Sequence, residues 1–487
     1  MTILAASGLV FFACGGPAVK GPLFTGHPDC RLVPEPAMKA DTISVALLNP
    51  VHPDRAPCPQ NPSEQLLFGH IYETLITIDC QEEVRTALAG SWRALDRGHR
   101  WVFELREDAR FWDGLPVTAP DVVESWRSRA AELLNPETEI DSFAADNDRE
   151  LSVYFKQPLH RVPRLLAEPS FAVAKSDQYS VWPLGSGPYR TLSRRYVFRP
   201  ESRGRILIQP ANDPEGTVIR FVETTAYDIR DLIGDRIDLI VTQDPAVIDY
   251  AAGRPQFETT ALPWNRMYLL LSASRVAALN RGERVGGIST ELQAGLARDA
   301  VRSDARAAQP PAWWERQSGC DQLAVESAYL PPDPPGASGS SGRRRILYES
   351  DDPVAKDLAE RIAALASADP NVSPDASNLS GAVPGLIKDP AGLAAEGLSP
   401  EELGGSLKSG GDFAYIVSIS RQPCDPCFEL KRLLSRAPWL APLEQSLSSA
   451  LIPLVDSRLH VIRSAGKVEL LINGSGNIVL TTGLYQK

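Results

Sequence analysis

The sequence predicts an α/β protein of two or three domains, and three observations carry that reading. The chain has 487 residues, too many for one compact core. With 43% hydrophobic and 23% charged residues it has the composition of an ordinary globular chain. Runs of β-branched and apolar residues alternate with runs of helical period, and 41 prolines against 35 glycines divide them into many short elements.

The elements follow in order. After a Pro-rich leader at 17–39, TISVALL at 42–48 is a strand by its β-branched content. EQLLFGHIYETLITID then spaces apolar residues as a helix does, through Leu75. RWVFELREDARFWDG, residues 100–114, alternates as a half-buried strand that places Trp101, Phe103 and Leu105 in a core, and it ends on an Asp-Gly turn. Thr118 and Asp121 form a capping box with Pro120 in the first turn, and Val122, Val123, Trp126 and Ala130 share one face of the helix that follows. ELSVYFK at 150–156 is a strand, RVPRLLAE is helix-like, and GSGPYRTLS at 185–193 is a glycine loop entering a strand. VIRFVET at 218–224 is a strand, and AYDIRDLIGDRIDLIVT reads as helix, glycine turn and strand.

A new region opens at LPWNRMYLLLSAS. It continues with an amphipathic helix at 289–308, a loop of Pro, Gly and Ser at 330–345, the strand RILYES and the helix DPVAKDLAERIAALAS. Residues 368–411 show little periodicity. The chain closes on KVELLINGSGNIVLTTGLY, a hairpin pattern around Asn473-Gly474.

The net charge of −11 and scattered Arg and Lys, with only short clusters such as Arg343-Arg344-Arg345, exclude a nucleic-acid partner. Six histidines (27, 52, 70, 99, 160 and 460) and three methionines show no ligand-spaced pair, so neither a metal nor a cofactor is expected.

At the N-terminus residues 3–13 are apolar, about half the length of a membrane span. Ala13 precedes Cys14-Gly15-Gly16, which resembles a bacterial lipoprotein signal whose cysteine is lipidated. It lacks a basic segment ahead of the apolar run and carries Phe11 where leucine is usual. The structural alternative is a buried N-terminal strand. Six further cysteines (30, 58, 80, 320, 424 and 427) are compatible with up to three disulfides in an exported chain.

FAYIVSISRQPCDPCFELKRLL, residues 413–434, has the strand–CxxC–helix layout of a thioredoxin-type site, in which a helix N-terminus stabilises a thiolate. A thiol–disulfide oxidoreductase using Cys424 and Cys427 is therefore one reading. Against it, Pro423 stands where an aromatic is usual, and no downstream segment offers the cis-proline strand such sites need. A short-loop disulfide between the two cysteines is the plainer reading.

The ordered set Tyr72-Glu73, Leu75, Leu88-Ala89, Ser91-Trp92, Trp101, Phe103, Leu105-Arg106, Phe111, Asp113-Gly114, Pro116, Thr118-Ala119 and Asp121-Val122 resembles extracellular solute-binding proteins of family 5, the peptide and nickel receptors of ABC importers. Gly185-Ser186-Gly187-Pro188-Tyr189 is similar to the family's G-T-G-P-Y block, and Gly234 with Asp238 to its L-x-x-G-x-x-D element. The likeness is dense over 65–240 and one of element order after 270.

The resemblance implies a two-lobed α/β fold of periplasmic-binding-protein type II, with an interlobe ligand cleft. Residues 41–260 and 450–487 would form the first lobe and 265–448 the second, behind a leader at 1–40. Ligand would sit between the lobes and closure would bury it, which needs polar groups in a cleft rather than a catalytic pair. In the family, the loop after the first strand, the first crossing segment and the D-P loop face the ligand. Here these are Asn49 and His52; Trp264, Asn265 and Tyr268; and Arg421, Gln422 and Asp425. Dipeptide-binding relatives place in that last loop an aspartate that meets the ligand's amino group. Counting back from Asp425-Pro426, Gln422 stands there instead and offers an ammonium no charge, Asp425 itself being the alternative partner, so the expected ligand is a small solute, peptide-like or other. The implied protein is a monomeric, non-enzymatic receptor at the periplasm or cell surface, anchored through Cys14 and partnered by an ABC permease. A degenerate member acting as a sensor or scaffold is the alternative favoured by the weakened second lobe.

Overall fold

The computed structural model of the chain describes residues 31–33, 41–81, 83–134, 140–192, 205–224, 228–234, 236–272, 290–303, 305–308, 345–366, 394–409, 413–420, 433, 437, 451–464, 469–472 and 478–481. Two mixed sheets organise it. The first has seven strands in the order Phe257–Ala261, His460–Ser464, Leu239–Thr242, Thr42–Leu47, Val218–Glu223, Arg205–Pro210 and Tyr189–Thr191. Thr42–Leu47 lies parallel to both of its neighbours, so five of its six residues are buried. The second sheet has six strands in the order Arg306–Ala307, Leu451–Ser457, Arg266–Ser272, Phe413–Ser420, Arg345–Glu349 and Ala394–Leu398. Across it the helix Pro353–Ala366 lays Val354, Ala355, Leu358, Ala359, Ile362 and Ala363 against Tyr268, Leu270, Ile346 and Ile416.

A four-stranded sheet made of Ala89–Leu95, Arg100–Leu105, Glu150–Phe155 and Ile140–Ala145 forms a separate core beside the first. Trp101, Phe103 and Leu105 are buried there as expected. Val102 is buried too, so Arg100–Leu105 does not alternate strictly between a buried and an exposed face. The capping box forms: the Thr118 hydroxyl accepts from Asp121 N at 3.3 Å, and the Asp121 carboxylate accepts from Thr118 N at 3.0 Å. The helix it starts, Ala119–Arg127, buries Trp126, whose Nε1 donates to Phe171 O at 3.0 Å.

Several expected elements change extent. The helix expected through Leu75 is Pro62–Ile71 and ends at Tyr72. Leu88 and Ala89 donate to the carbonyls of Thr74 and Leu75 at 3.1 and 2.8 Å, which draws that segment into an extended path. RVPRLLAE shortens to a single 3-10 turn, Arg164–Ala167, and the helix expected before Gly234 to another, Ile229–Asp231. The helix expected over 289–308 is Thr290–Ser303, followed by the edge strand Arg306–Ala307. Ala394–Leu398 and the helix Pro400–Ser409 occupy a stretch expected to be irregular.

The glycine loop has a packing role. A Cβ on Gly185 would stand 2.1 Å from Ile71 O, while Gly187 N donates to that same carbonyl at 3.0 Å. The loop thus lies directly on the end of the first helix. Glu469–Ile472 and Ile478–Thr481 form the expected C-terminal hairpin, and Arg31–Val33 adds a third strand.

The chain crosses between the two large sheets at 262–265 and again at 458–459. Leu451–Ser457 pairs with Arg266–Ser272, whereas His460–Ser464 inserts between Leu239–Thr242 and Phe257–Ala261. The return crossing therefore falls later than the boundary expected at 448–450. Of the cysteines, Cys80 is disulfide-bonded. Cys58 is buried, with its Sγ against the Arg129 guanidinium; Cys30, Cys320, Cys424 and Cys427 lie outside the described residues.

Candidate functional site

The C-terminal ends of parallel strands from both sheets converge beside the crossing segments. From the first lobe come the loop after Thr42–Leu47 and the residues after Leu239–Thr242. From the second come the residues after Arg345–Glu349 and the start of Arg266–Ser272. The first of these loops is held by carboxylates of its own lobe. Buried Glu64 accepts from His52 N at 3.0 Å and Gln60 N at 2.7 Å, and the Arg55 guanidinium lies 3.5 Å away. Glu223 accepts from Val51 N at 2.9 Å, and the Ser63 hydroxyl accepts from Asn49 N at 2.9 Å. Asn49 and His52 are thus half-buried on a braced loop.

Trp264 and Asn265 lie in the first crossing segment. The Arg458 guanidinium of the second crossing segment stands 4.4 Å from the centre of the Trp264 ring, a cation–π contact. Leu262 N donates to Leu459 O at 2.9 Å, so the two crossings are bonded to each other.

Tyr268 is fully buried, and its hydroxyl donates to the Asp352 carboxylate at 2.7 Å. Asp352 also accepts from Val354 N at 2.9 Å and Ala355 N at 3.0 Å, capping the helix Pro353–Ala366. Gln243 reaches over from the first lobe. Its Nε2 donates to the Tyr268 hydroxyl at 3.2 Å and to Asp352 Oδ1 at 3.3 Å, and its Oε1 accepts from the Ser457 hydroxyl at 3.3 Å. Arg266 stands 3.7 Å from Asp352. Burial opposes its charge, but Tyr268 and the Asp352 carboxylate outweigh that and hold its pKa above the ordinary value. Burial, reinforced by the same carboxylate, pushes the Tyr268 phenol well above its usual range, so it acts as a neutral donor.

Chemically the arrangement is a polar floor between two lobes, with hydroxyl, amide, carboxylate and guanidinium groups paired among themselves. A groove of about 420 Å³ beside it is lined from both lobes, by Asp244 and Asp249 on one side and Arg306, Lys356, Asp357 and Arg361 on the other. A depression of about 560 Å³ on the Ala119–Arg127 helix lies away from every expected site residue. Among the described residues no group of three or more His, Cys, Asp and Glu side chains is placed to hold a metal ion.

Of the expected site residues, the structure brings Trp264, Asn265 and Tyr268 to the crossing region and puts Asn49 and His52 on the first-lobe loop. Arg421, Gln422 and Asp425 lie outside the described residues, as do Cys424, Cys427 and Cys14. The floor adds four residues that the sequence reading did not single out: Gln243, Arg266, Asp352 and Ser457. The one local signal was Asp352-Pro353 ahead of an amphipathic helix, a capping pattern.

Residues 83–202 match the family model described as "Bacterial extracellular solute-binding proteins, family 5 Middle". A Sinorhizobium fredii protein named "Probable peptide ABC transporter periplasmic-binding protein" is 26% identical over 254 residues, 47% of this chain and 46% of that protein. An Escherichia coli protein named "Probable deoxycholate-binding periplasmic protein" is 28% identical over 133 residues, 23% of this chain and 25% of that protein. The chain thus spans half or less of the length of these relatives. Among solved structures, a dipeptide-binding protein from a Pseudoalteromonas species in complex with Met-Leu superposes with a TM-score of 0.61 at 11% identity, covering 90% of this chain and 98% of that one. NikA from Brucella suis in complex with Fe(III)-EDTA superposes with a TM-score of 0.60 at 15% identity, covering 90% and 99%. At such identities the likeness establishes the fold, an α/β architecture of two lobes. The resemblance read from the ordered motifs holds.

Proposed function

We propose, from the premise that this chain is a relative of the family 5 extracellular solute-binding proteins, that it captures a small solute between its lobes and presents it to an ABC importer. The observation that carries the reading is the convergence of strand ends from two sheets on one polar floor, with the chain passing between the sheets, among the described residues, at 262–265 and 458–459. Such a joint lets the lobes rotate about a line, and solute contacts made by both lobes favour the closed form. The ligand is peptide-like or another small solute; Asn49, His52, Trp264 and Asn265 stand on the elements that flank the cleft, with Arg421, Gln422 and Asp425 expected opposite. The role is binding, without catalysis or cofactor. The receptor acts as a monomer in the periplasm or at the cell surface, held to the membrane by a lipid on Cys14.

The test is a thermal-shift and native mass-spectrometry screen with peptides, opines, sugars and metal chelates. A true ligand at a hundred times its Kd stabilises the fold by about 2.7 kcal/mol. An empty screen, together with insulin-reducing activity abolished by Cys424→Ser, would replace the receptor with an oxidoreductase. For the anchor, Cys14→Ser is expected to move the protein from the membrane fraction to the soluble one.

A further inference from the structure

We propose that Gln243 is an interlobe clasp: its amide, reaching from the first lobe into a pocket formed by Tyr268, Asp352 and Ser457 of the second, sets the balance between open and closed forms of the cleft. The inference rests on the receptor reading only in taking the two lobes to move.

Its grounds are positional. Gln243 directly follows Leu239–Thr242, whose last residue pairs with His460. Tyr268 and Ser457 lie on neighbouring strands of the second sheet, near the register pair Arg266 and Ser457. Asp352 comes from a third element of that sheet and is fixed by its capping bonds to Val354 and Ala355. The pocket is therefore rigid on the second-lobe side: Tyr268 and Ser457 are fully buried, and Asp352 is nearly so. The amide uses both ends, donating through Nε2 at 3.2 and 3.3 Å and accepting through Oε1 at 3.3 Å.

These are long bonds. Hydrogen bonds weaken steeply past about 3.5 Å, so a lobe movement of about an ångström at this point loses all of them together. The groove lined from both lobes begins at the next residues along, Asp244 and Pro353. Whatever separates Gln243 from Asp352 also widens that groove. Water replaces part of what is lost, so the net effect is that of one or two ordinary hydrogen bonds. That amounts to about a ten-fold shift in the ratio of closed to open forms.

The experiment needs no ligand, which keeps its failure separate from an empty solute screen. In the full mature chain, spin labels at Asp249→Cys and Lys356→Cys, exposed positions on opposite sides of the groove, report the interlobe distance by pulsed electron paramagnetic resonance. Gln243→Leu and Gln243→Asn are compared with the parent, the second retaining an amide too short to reach. The clasp predicts a longer-distance population that grows about ten-fold relative to the shorter one in both variants. Should Gln243→Leu fail to fold, Gln243→Asn carries the comparison. Variant distance distributions that superimpose on the parent's would overturn the proposal.

Discussion

His70 is enclosed between the first helix and the C-terminal hairpin. Its Nδ1–H donates to Leu66 O at 2.7 Å, and its Nε2 accepts from Leu480 N at 3.0 Å, an arrangement that requires the neutral ring. Burial lowers its pKa from 6.5 to about 4. An unfolded chain takes up a proton near pH 6.5 that the folded chain refuses until about pH 4, so stability from this group falls as pH drops through that window. The loss reaches about 3 kcal/mol at its lower edge. Urea unfolding at pH 7.0 and 4.5 is expected to show it, with a flatter pH dependence in His70→Gln. Gly185 gives a second prediction at this scale. A methyl group there would overlap Ile71 O, and Gly185→Ala is expected to cost on the order of 3 kcal/mol in chemical denaturation. Gly114→Ala meets open space at a φ of 85° and should cost only about 1 kcal/mol.

At the scale of elements, the loop from Asn49 to Asn61 takes two of its backbone bonds from the Glu64 carboxylate. Glu64→Ala leaves His52 N and Gln60 N without their acceptor and is expected to destabilise the chain by about 2 kcal/mol. Amide hydrogen exchange should then quicken over 49–61 while the second sheet keeps its protection. Elements with strong local chemistry were legible in the sequence. Thr118, Pro120 and Asp121 announce the helix at 119–127, and TISVAL announces a strand, whose burial comes from parallel neighbours on both sides. Ala394–Leu398 was not legible: AAEGL holds no β-branched residue, and its strand form comes from parallel pairing with Arg345–Glu349. The candidate site divides the same way. Tyr268 was singled out through the family resemblance, as part of a crossing segment, and stands instead inside the strand Arg266–Ser272; Gln243 and Asp352 stand 109 residues apart and meet only where two sheets meet.

At the scale of the whole molecule, the second lobe keeps the strand Leu451–Ser457, which bonds to Arg266–Ser272 on one edge and to Arg306–Ala307 on the other. A fragment spanning 265–457 is therefore expected to unfold cooperatively on heating. One spanning 265–448 lacks an internal strand of its sheet and should give no such transition by circular dichroism. The first lobe has the converse problem, and it is one of timing. His460–Ser464 lies between Leu239–Thr242 and Phe257–Ala261, yet it is made about 200 residues after the latter. At roughly 5–20 residues per second, a ribosome needs about 10–40 s to span that gap. Until it does, the sheet has a vacant lane between two finished strands, lined on one side by Leu239 and Ile240. The nascent chain is unable to close its first sheet for that whole interval, because the strand that completes it has not yet been made.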